Sequence, residues 1–269
     1  MKYSFLGTPR FASIILEKLI EAKLPPTLVI CNPDKPVGRK KIITPPPTKI
    51  IAEKHDIPVW QPEKLTADEV AKKIDGADVA VLAAYAKILP DEIISLPKLG
   101  IVGVHPSLLP KYRGATPIQT TLLNGDHETG TTLFLMDKEV DHGPTLASNR
   151  LPIADDDNYI ALEQKLANLS AELLIDTLPK FVKQGIKSQV QDEDAATYTK
   201  KFITKDGLID LTKDNNETAR RKIKALNPNP GAYVIKSGQR IKILDTRTIQ
   251  YEGKNPRDVG DALDFVENI

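Results

Sequence analysis

Through the first 185 or so residues, short continuous apolar runs alternate with segments whose apolar residues recur every three or four positions. Tyr3–Leu6, Leu28–Cys31, Pro58–Trp60, Val79–Ala83, Ile101–His105 and Thr131–Met136 are of strand length. Between them, Phe11–Ala22 places Ile14, Ile15, Leu19 and Ile20 on one helical face, and Pro47–Lys54, Ala67–Ile74 and Gln119–Leu123 read as further helices. The βαβα order predicts an α/β fold with a doubly wound, mostly parallel sheet. A long helical pattern from Asn158 to Lys183 closes this part, and residues 1–186 are expected to form one domain. Residues 187–200 are polar, with Gln191-Asp192-Glu193-Asp194, and read as a linker. Beyond them the texture changes. Asp206–Asp210 suggests a strand start, Glu217–Leu226 a short basic helix, and Gly231–Ile235 with Arg240–Leu244 a pair of strands about Ser237-Gly238. Residues 201–269 are expected to be a small β domain.

Composition narrows the setting. Of the 269 residues, 41% are hydrophobic and 27% charged, as in ordinary soluble globular chains. No apolar run approaches the roughly 18 to 20 residues of a membrane span, and MKYSFLGTPRF lacks the features of a secretion signal. Cys31 is the only cysteine, which excludes an intramolecular disulfide and suggests a cytoplasmic setting. At the end of an apolar strand it reads as a packing residue rather than a nucleophile. The formal net charge is +1, but basic residues cluster. Lys35, Arg39, Lys40, Lys41 and Lys49 share a stretch without an acidic residue, and from Thr197 onward 14 Lys and Arg face 10 Asp and Glu. Such stretches suit a phosphate backbone, although composition alone favours solvated loop charge.

The segment Gly100–Pro144 concentrates the candidate chemistry. One apolar strand delivers His105, followed by Pro106-Ser107 and the stiff loop Leu108-Leu109-Pro110-Lys111-Tyr112-Arg113-Gly114. A second strand, Thr131–Met136, leads to Asp141 in Val-Asp-His-Gly-Pro. A His and an Asp on Gly- and Pro-pinned loops at strand ends is how an open α/β sheet assembles an active site. His55 and His127 stand in polar runs and read as solvated, and no His/Cys cluster has metal-ligand spacing. Gly7-Thr8-Pro9 lacks the G-x-G-x-x-G spacing of a dinucleotide loop, which speaks against a nicotinamide enzyme.

This segment resembles the signature of the folate-dependent formyltransferases. The turn GTPRFA, the run PDKPVGRKK with its following TPPP, and Trp60–Leu65 are similar to the branch acting on methionyl-initiator tRNA. The resemblance implies a Rossmann-like catalytic domain, an abbreviated OB-like C-terminal domain, and a cytoplasmic monomer in translation initiation. It implies 10-formyltetrahydrofolate as co-substrate and no metal. His105 and Asp141 would be catalytic, and Gly103 stands where the family carries a catalytic Asn. Folate would contact Tyr85, Ala86, Ile88, Leu89 and Pro90 through backbone groups, together with Ser107, Leu108, Leu109, Pro110, His142 and Gly143. The tRNA would meet Arg39, Lys40 and Lys41, and Arg220, Arg221 and Lys222 of the basic helix. Two further readings stay open: a nucleotide-sugar N-formyltransferase, against which the basic Pro-rich loop speaks, and a catalytically impaired folate- or tRNA-binding homologue, for which Gly103 speaks.

Overall fold

Strands buried on both faces dictate the architecture: all five residues of β1 (Tyr3–Gly7) and all five of the later strand Ile101–His105 are buried. The computed structural model describes residues 1–38, 40–85 and 87–268. After β1 come α1 (Arg10–Glu21), β2 (Leu28–Ile30), the hairpin β3 (Lys35–Val37) and β4 (Ile42–Thr44), α2 (Pro47–Lys54), β5 (Val59–Trp60), α3 (Ala67–Lys73) and β6 (Val79–Ala83). Then follow α4 (Asp91–Ile94), β7 (Ile101–His105), α5 (Pro117–Asn124), β8 (Glu128–Leu135), β9 (Thr145–Pro152) and α6 (Tyr159–Val182). The main sheet has the order β5-β2-β1-β6-β7-β8-β9. Pairings from β5 to β7 are parallel, and β8 runs antiparallel to β7. The chain winds outward from β1 to β2 and β5, then returns on the other side at β6. Open α/β sheets that reverse in this way bind ligands beyond the carboxyl ends of their strands, the end at which His105 closes β7.

Two compact units are present. One comprises Met1–Arg113, Gly130–Leu151 and Gln164–Thr197; the other comprises Gly114–Thr129, Pro152–Glu163 and Tyr198–Ile269. In the first, α1 buries Phe11, Ala12, Ile15, Leu16 and Leu19. Along α6, Leu166, Ser170, Leu174 and Leu178 recur at i,i+4 spacing and are all buried. Ser170 is tolerated there because its hydroxyl bonds Thr131 Oγ1 at 2.7 Å and donates to the Leu166 carbonyl.

The second unit contains α7 (Asn216–Leu226), β10 (Ala232–Lys236), β11 (Gln239–Ile243), β12 (Thr248–Tyr251), β13 (Arg257–Asp258) and α8 (Ala262–Asn268). Its four strands form an antiparallel meander in sequence order. Ile241 and Ile243 point inward while Gln239 and Lys242 are exposed, and the core adds Ile223, Val234, Ile249, Leu263 and Val266. Asn215 caps α7 by accepting from the Thr218 amide at 2.8 Å. This small antiparallel β domain has one regular strand fewer than a five-stranded OB barrel.

Local departures from the sequence pattern have physical causes. The basic run read as a loop contains the β3–β4 hairpin, whose six strand residues are all exposed and so give no burial pattern. Strand β9 is a mixed, half-exposed edge strand without alternation. The strand start at Asp206–Asp210 is instead a 3-10 turn over Thr204–Gly207, because Asp206 Oδ2 accepts from the Ile203 amide at 2.8 Å. A single parallel bridge, Leu208 to Tyr233, follows it. Within residues 187–200, Gln189 bridges Thr145 and Gln191 is buried. No described helix is long and apolar enough to cross a membrane.

The buried face of α6 sets an expected outcome. Leu166 is fully buried and Ile160 is 50% exposed on the same helix. In urea unfolding followed by circular dichroism, Leu166→Ala should cost about 2–5 kcal/mol. Ile160→Ala should stay within about 0.5 kcal/mol. Equal losses would show that the helix buries a different face.

Candidate active site

His105 is 5% exposed at the end of β7, opposite Thr132 of β8. Its Nε2 lies 2.8 Å from the Tyr112 carbonyl oxygen, which can only accept, so Nε2 carries the hydrogen. Nδ1 is then the nitrogen turned toward the Asp141 carboxylate, at 3.5 Å. The sequence-expected pair is therefore brought together. The loop Leu108–Gly114 folds back over the imidazole because Ser107 Oγ donates to the Lys111 carbonyl and the Leu109 amide donates to Thr132 Oγ1. Thr132 Oγ1 in turn donates to the Ser107 carbonyl at 2.7 Å. The Ser107 hydroxyl is thus committed to shaping the loop.

Asp141 adopts a left-handed backbone (φ 51°), a conformation that Asp tolerates better than most residues. The turn is pinned from three sides. A Cβ on Gly143 would stand 1.8 Å from the Leu135 carbonyl oxygen, so only glycine fits, and the Leu135 amide donates to the Pro144 carbonyl. Gln191 Nε2 donates to the Asp141 carbonyl at 2.9 Å and to the Gly143 carbonyl at 2.7 Å. His142 Nδ1 bonds Asp137 Oδ2 at 2.6 Å, with Nε2 3.4 Å from Glu193 Oε1. Those carboxylates, led by the Asp137 hydrogen bond, raise the His142 pKa above the ordinary histidine value.

Arg113 is wholly buried. Its Nε and Nη2 donate to Gln191 Oε1 at 3.1 and 2.9 Å, and Nη1 and Nη2 donate to the two oxygens of Glu193 at 2.9 and 2.6 Å. Arg113 also holds the Glu193 carboxyl below its usual pKa. The Arg113 amide donates to the Thr197 carbonyl and the Tyr112 amide to Thr197 Oγ1. Gln191 and Glu193 were not foreseen as site residues. Both stand in a polar run that reads as a linker, and only their tertiary partners distinguish them.

Gly103 lies two residues before His105 on the same face of β7, directly across from Phe134. A Cβ built on Gly103 would come within 2.4 Å of Phe134 Cε1, so the buried ring covers the bare backbone. At the end of β6, Tyr85 and Leu89 are buried in the core, while Ile88 is 93% exposed and Pro90 is also exposed. Burial pushes the Tyr85 hydroxyl up to about 12. Ala86 lies outside the described residues. Leu108, Leu109 and Pro110 are half-buried. Cys31 is fully buried, and its thiol is pushed up to about 11 by that burial.

Among the basic residues, Lys40 and Lys41 are exposed on the hairpin, and Arg39 lies outside the described residues. The base of the hairpin is fastened where the motifs noted in sequence meet. Gln61 Nε2 donates to the Asn32 carbonyl and to Asp34 Oδ1, both at 2.8 Å, and Lys49 pairs with Asp34 at 3.0 Å. Gln61 and then Lys49 hold the Asp34 carboxyl below its usual range. The three candidates on α7 are all engaged within their own unit. Arg220 pairs with Asp261; Arg221 pairs with Glu217 and donates to the Asn124 carbonyl; Lys222 pairs with Asp214 and donates to the Leu208 carbonyl.

Comparison with known proteins matches this arrangement to a family. The formyl transferase pattern matches residues 1–178, and that of the formyl transferase C-terminal domain matches residues 201–268. A methionyl-tRNA formyltransferase of Thermotoga maritima is 39% identical over 258 residues, covering 95% of this chain and 82% of its own. One of Halalkalibacterium halodurans is 40% identical over 245 residues, covering 90% and 77%. Among solved structures, the N-formyltransferase from Helicobacter canadensis with folinic acid and dTDP-3-aminofucose superposes with a TM-score of 0.69 at 18% identity, covering 95% of this chain and 91% of that one. HypX from Aquifex aeolicus with tetrahydrofolic acid gives 0.66 at 17% identity, and this chain spans 39% of its length. These two likenesses concern the fold. With both family patterns matched in order and relatives near 40% identity along most of its length, the chain belongs to the formyl transferase family.

Proposed function

We propose that this protein transfers the formyl group of 10-formyltetrahydrofolate to the amino group of methionyl-initiator tRNA. The observation that carries the reading is the His105–Asp141 pair, 3.5 Å apart, beside the carboxyl ends of the sheet. The acceptor is inferred from relatives at 39% and 40% identity that bear the methionyl-tRNA formyltransferase name. A sugar N-formyltransferase and an N-formyltransferase holding dTDP-3-aminofucose share the fold at 19% and 18% identity, and the basic hairpin argues for the larger acceptor.

In this reading the acceptor nitrogen attacks the formyl carbon, and the carbonyl oxygen takes the negative charge. His105 Nδ1 accepts the proton released by the amine, and Asp141 stabilises the imidazolium that results. Collapse of the tetrahedral adduct breaks the bond from the formyl carbon to the folate nitrogen, and the Nδ1 proton of the imidazolium passes to that nitrogen as it leaves, which returns His105 to its neutral form. Nε2 stays committed to the Tyr112 carbonyl, so the ring exchanges protons from one side only. The folate would sit against the backbone of residues 85–90, with Leu108, Leu109, Pro110, His142 and Gly143 about it. The tRNA would meet Arg39, Lys40 and Lys41. Because Arg220, Arg221 and Lys222 have internal partners, a phosphate would have to displace those partners, and the hairpin carries the larger share.

Formyl transfer to methionyl-tRNA tests the reading directly. His105→Ala and Asp141→Asn should each lower single-turnover transfer by about two to four orders of magnitude while the fold persists. Near-parent turnover in either variant would remove that residue from the mechanism.

Gly103→Asn alone should lower stability, since overpacking against Phe134 typically costs about 1–3 kcal/mol. Combined with Phe134→Ala, the carboxamide has room to donate to the developing oxyanion. Turnover should then rise about 10²- to 10³-fold over Phe134→Ala alone. An unchanged rate in the folded double variant would mean that position 103 does not face the formyl oxygen.

Neutralising Arg39, Lys40 and Lys41 together should weaken tRNA binding and leave folate binding intact. Each lost phosphate contact lowers the slope of log K against log salt by about 0.7 to 0.9, so the change should reach about 2 to 3 at most. Unaltered tRNA affinity across a salt series would reduce the hairpin to solvated charge.

A further inference from the structure

We propose that Arg113 and Gln191 are positioning residues that couple the two members of the catalytic pair. This rests on the formyl-transfer reading and extends it to residues that touch neither substrate. Two adjacent residues face two different tasks. The Tyr112 carbonyl accepts from His105 Nε2 and so fixes the plane of the imidazole. The next side chain, Arg113, holds Gln191 through both Nε and Nη2. Those two contacts use the Gln191 oxygen, leaving its NH₂ group to bond the carbonyls of Asp141 and Gly143 on either side of His142. One dipeptide thus determines where the imidazole stands and where the turn bearing the carboxylate stands.

The rest of the arrangement keeps this dipeptide in place. Tyr112 has a left-handed backbone (φ 64°), held by the hydrogen bond its amide donates to Thr197 Oγ1, and the Thr197 amide closes the loop by donating to the Pro110 carbonyl. Glu193 takes the outer edge of the guanidinium and approaches His142. Gln191 is 7% exposed, so water cannot readily replace its amide if it is lost. Asp141 in turn has a left-handed backbone that few residues adopt unaided. Without the two Gln191 bonds the turn can relax, and the carboxylate moves away from Nδ1.

Gln191→Met keeps the volume and removes both donors. It should lower kcat about 10- to 100-fold while KM for methionyl-tRNA stays within about twofold, as expected for a misplacement on the order of 1 Å. Because the residue acts through Asp141, adding Gln191→Met to Asp141→Asn should change single-turnover transfer by less than about twofold. In the apo protein, amide hydrogen exchange at Leu135 and Thr145, which donate to the Pro144 and Gln189 carbonyls beside the turn, should accelerate at least about tenfold, with α6 and the rest of the sheet unchanged. Multiplicative losses in the double variant, or exchange accelerated equally across the sheet and α6, would overturn the proposal by revealing a general structural role. If Gln191→Met does not fold, Glu193→Gln carries the test. It alters a 54% exposed carboxylate and should give the same local pattern with a two- to tenfold loss of kcat. Absent transfer by the parent protein to methionyl-tRNA would sink the functional reading, and the exchange pattern would still decide the coupling.

Discussion

A guanidinium with no access to water must find its partners in the protein, because an unpaired charge in such surroundings is among the costliest things a fold can contain. Arg113 meets that demand by gathering Gln191 and Glu193 from about 80 residues away. Once the partners are in place, other groups follow. The Gln191 amide has only the 141–143 turn left to serve, and Glu193 stands next to His142. A polar segment with the composition of a tether is therefore part of the wall around the His105–Asp141 pair.

The parts of the fold that were legible in sequence are those where burial leaves its mark on residue type. Val79–Ala83 and Ile101–Val104 carry no polar side chain because both faces of the sheet are covered, and their places in the order follow from the helices between them. His105 closes one such run and Asp141 follows another after a short loop, in a pattern similar to a known signature. What was not legible is what depends on a partner distant in the chain. The β3–β4 hairpin has no buried residue, so no period betrays it. Gln191 has the composition of a linker and the burial of a core residue. The engagement of Arg220, Arg221 and Lys222 with acidic and carbonyl partners is equally invisible in a run of positive charge.

Gly103 shows how a single position acquires meaning only with its neighbour across the sheet. Taken alone, a glycine on a buried strand weakens it and leaves a gap. Here Phe134 lies over the bare backbone and closes the gap with an aromatic ring. The two residues thus behave as one unit of packing on the face that carries His105. Restoring a side chain at one of them without shortening the other places two groups in one space.

Cys31 has a practical meaning beyond its place in the core. Its thiol, raised to about 11 and sealed from solvent, yields a thiolate population near neutral pH of about one in ten thousand. To alkylating reagents the folded chain therefore behaves as though it had no cysteine. A cysteine placed on the exposed hairpin would be the sole reactive thiol, so a fluorophore or spin label could be attached there without first removing a native residue. Reaction at Cys31 itself would become a signal of unfolding, since the folded chain buries it completely.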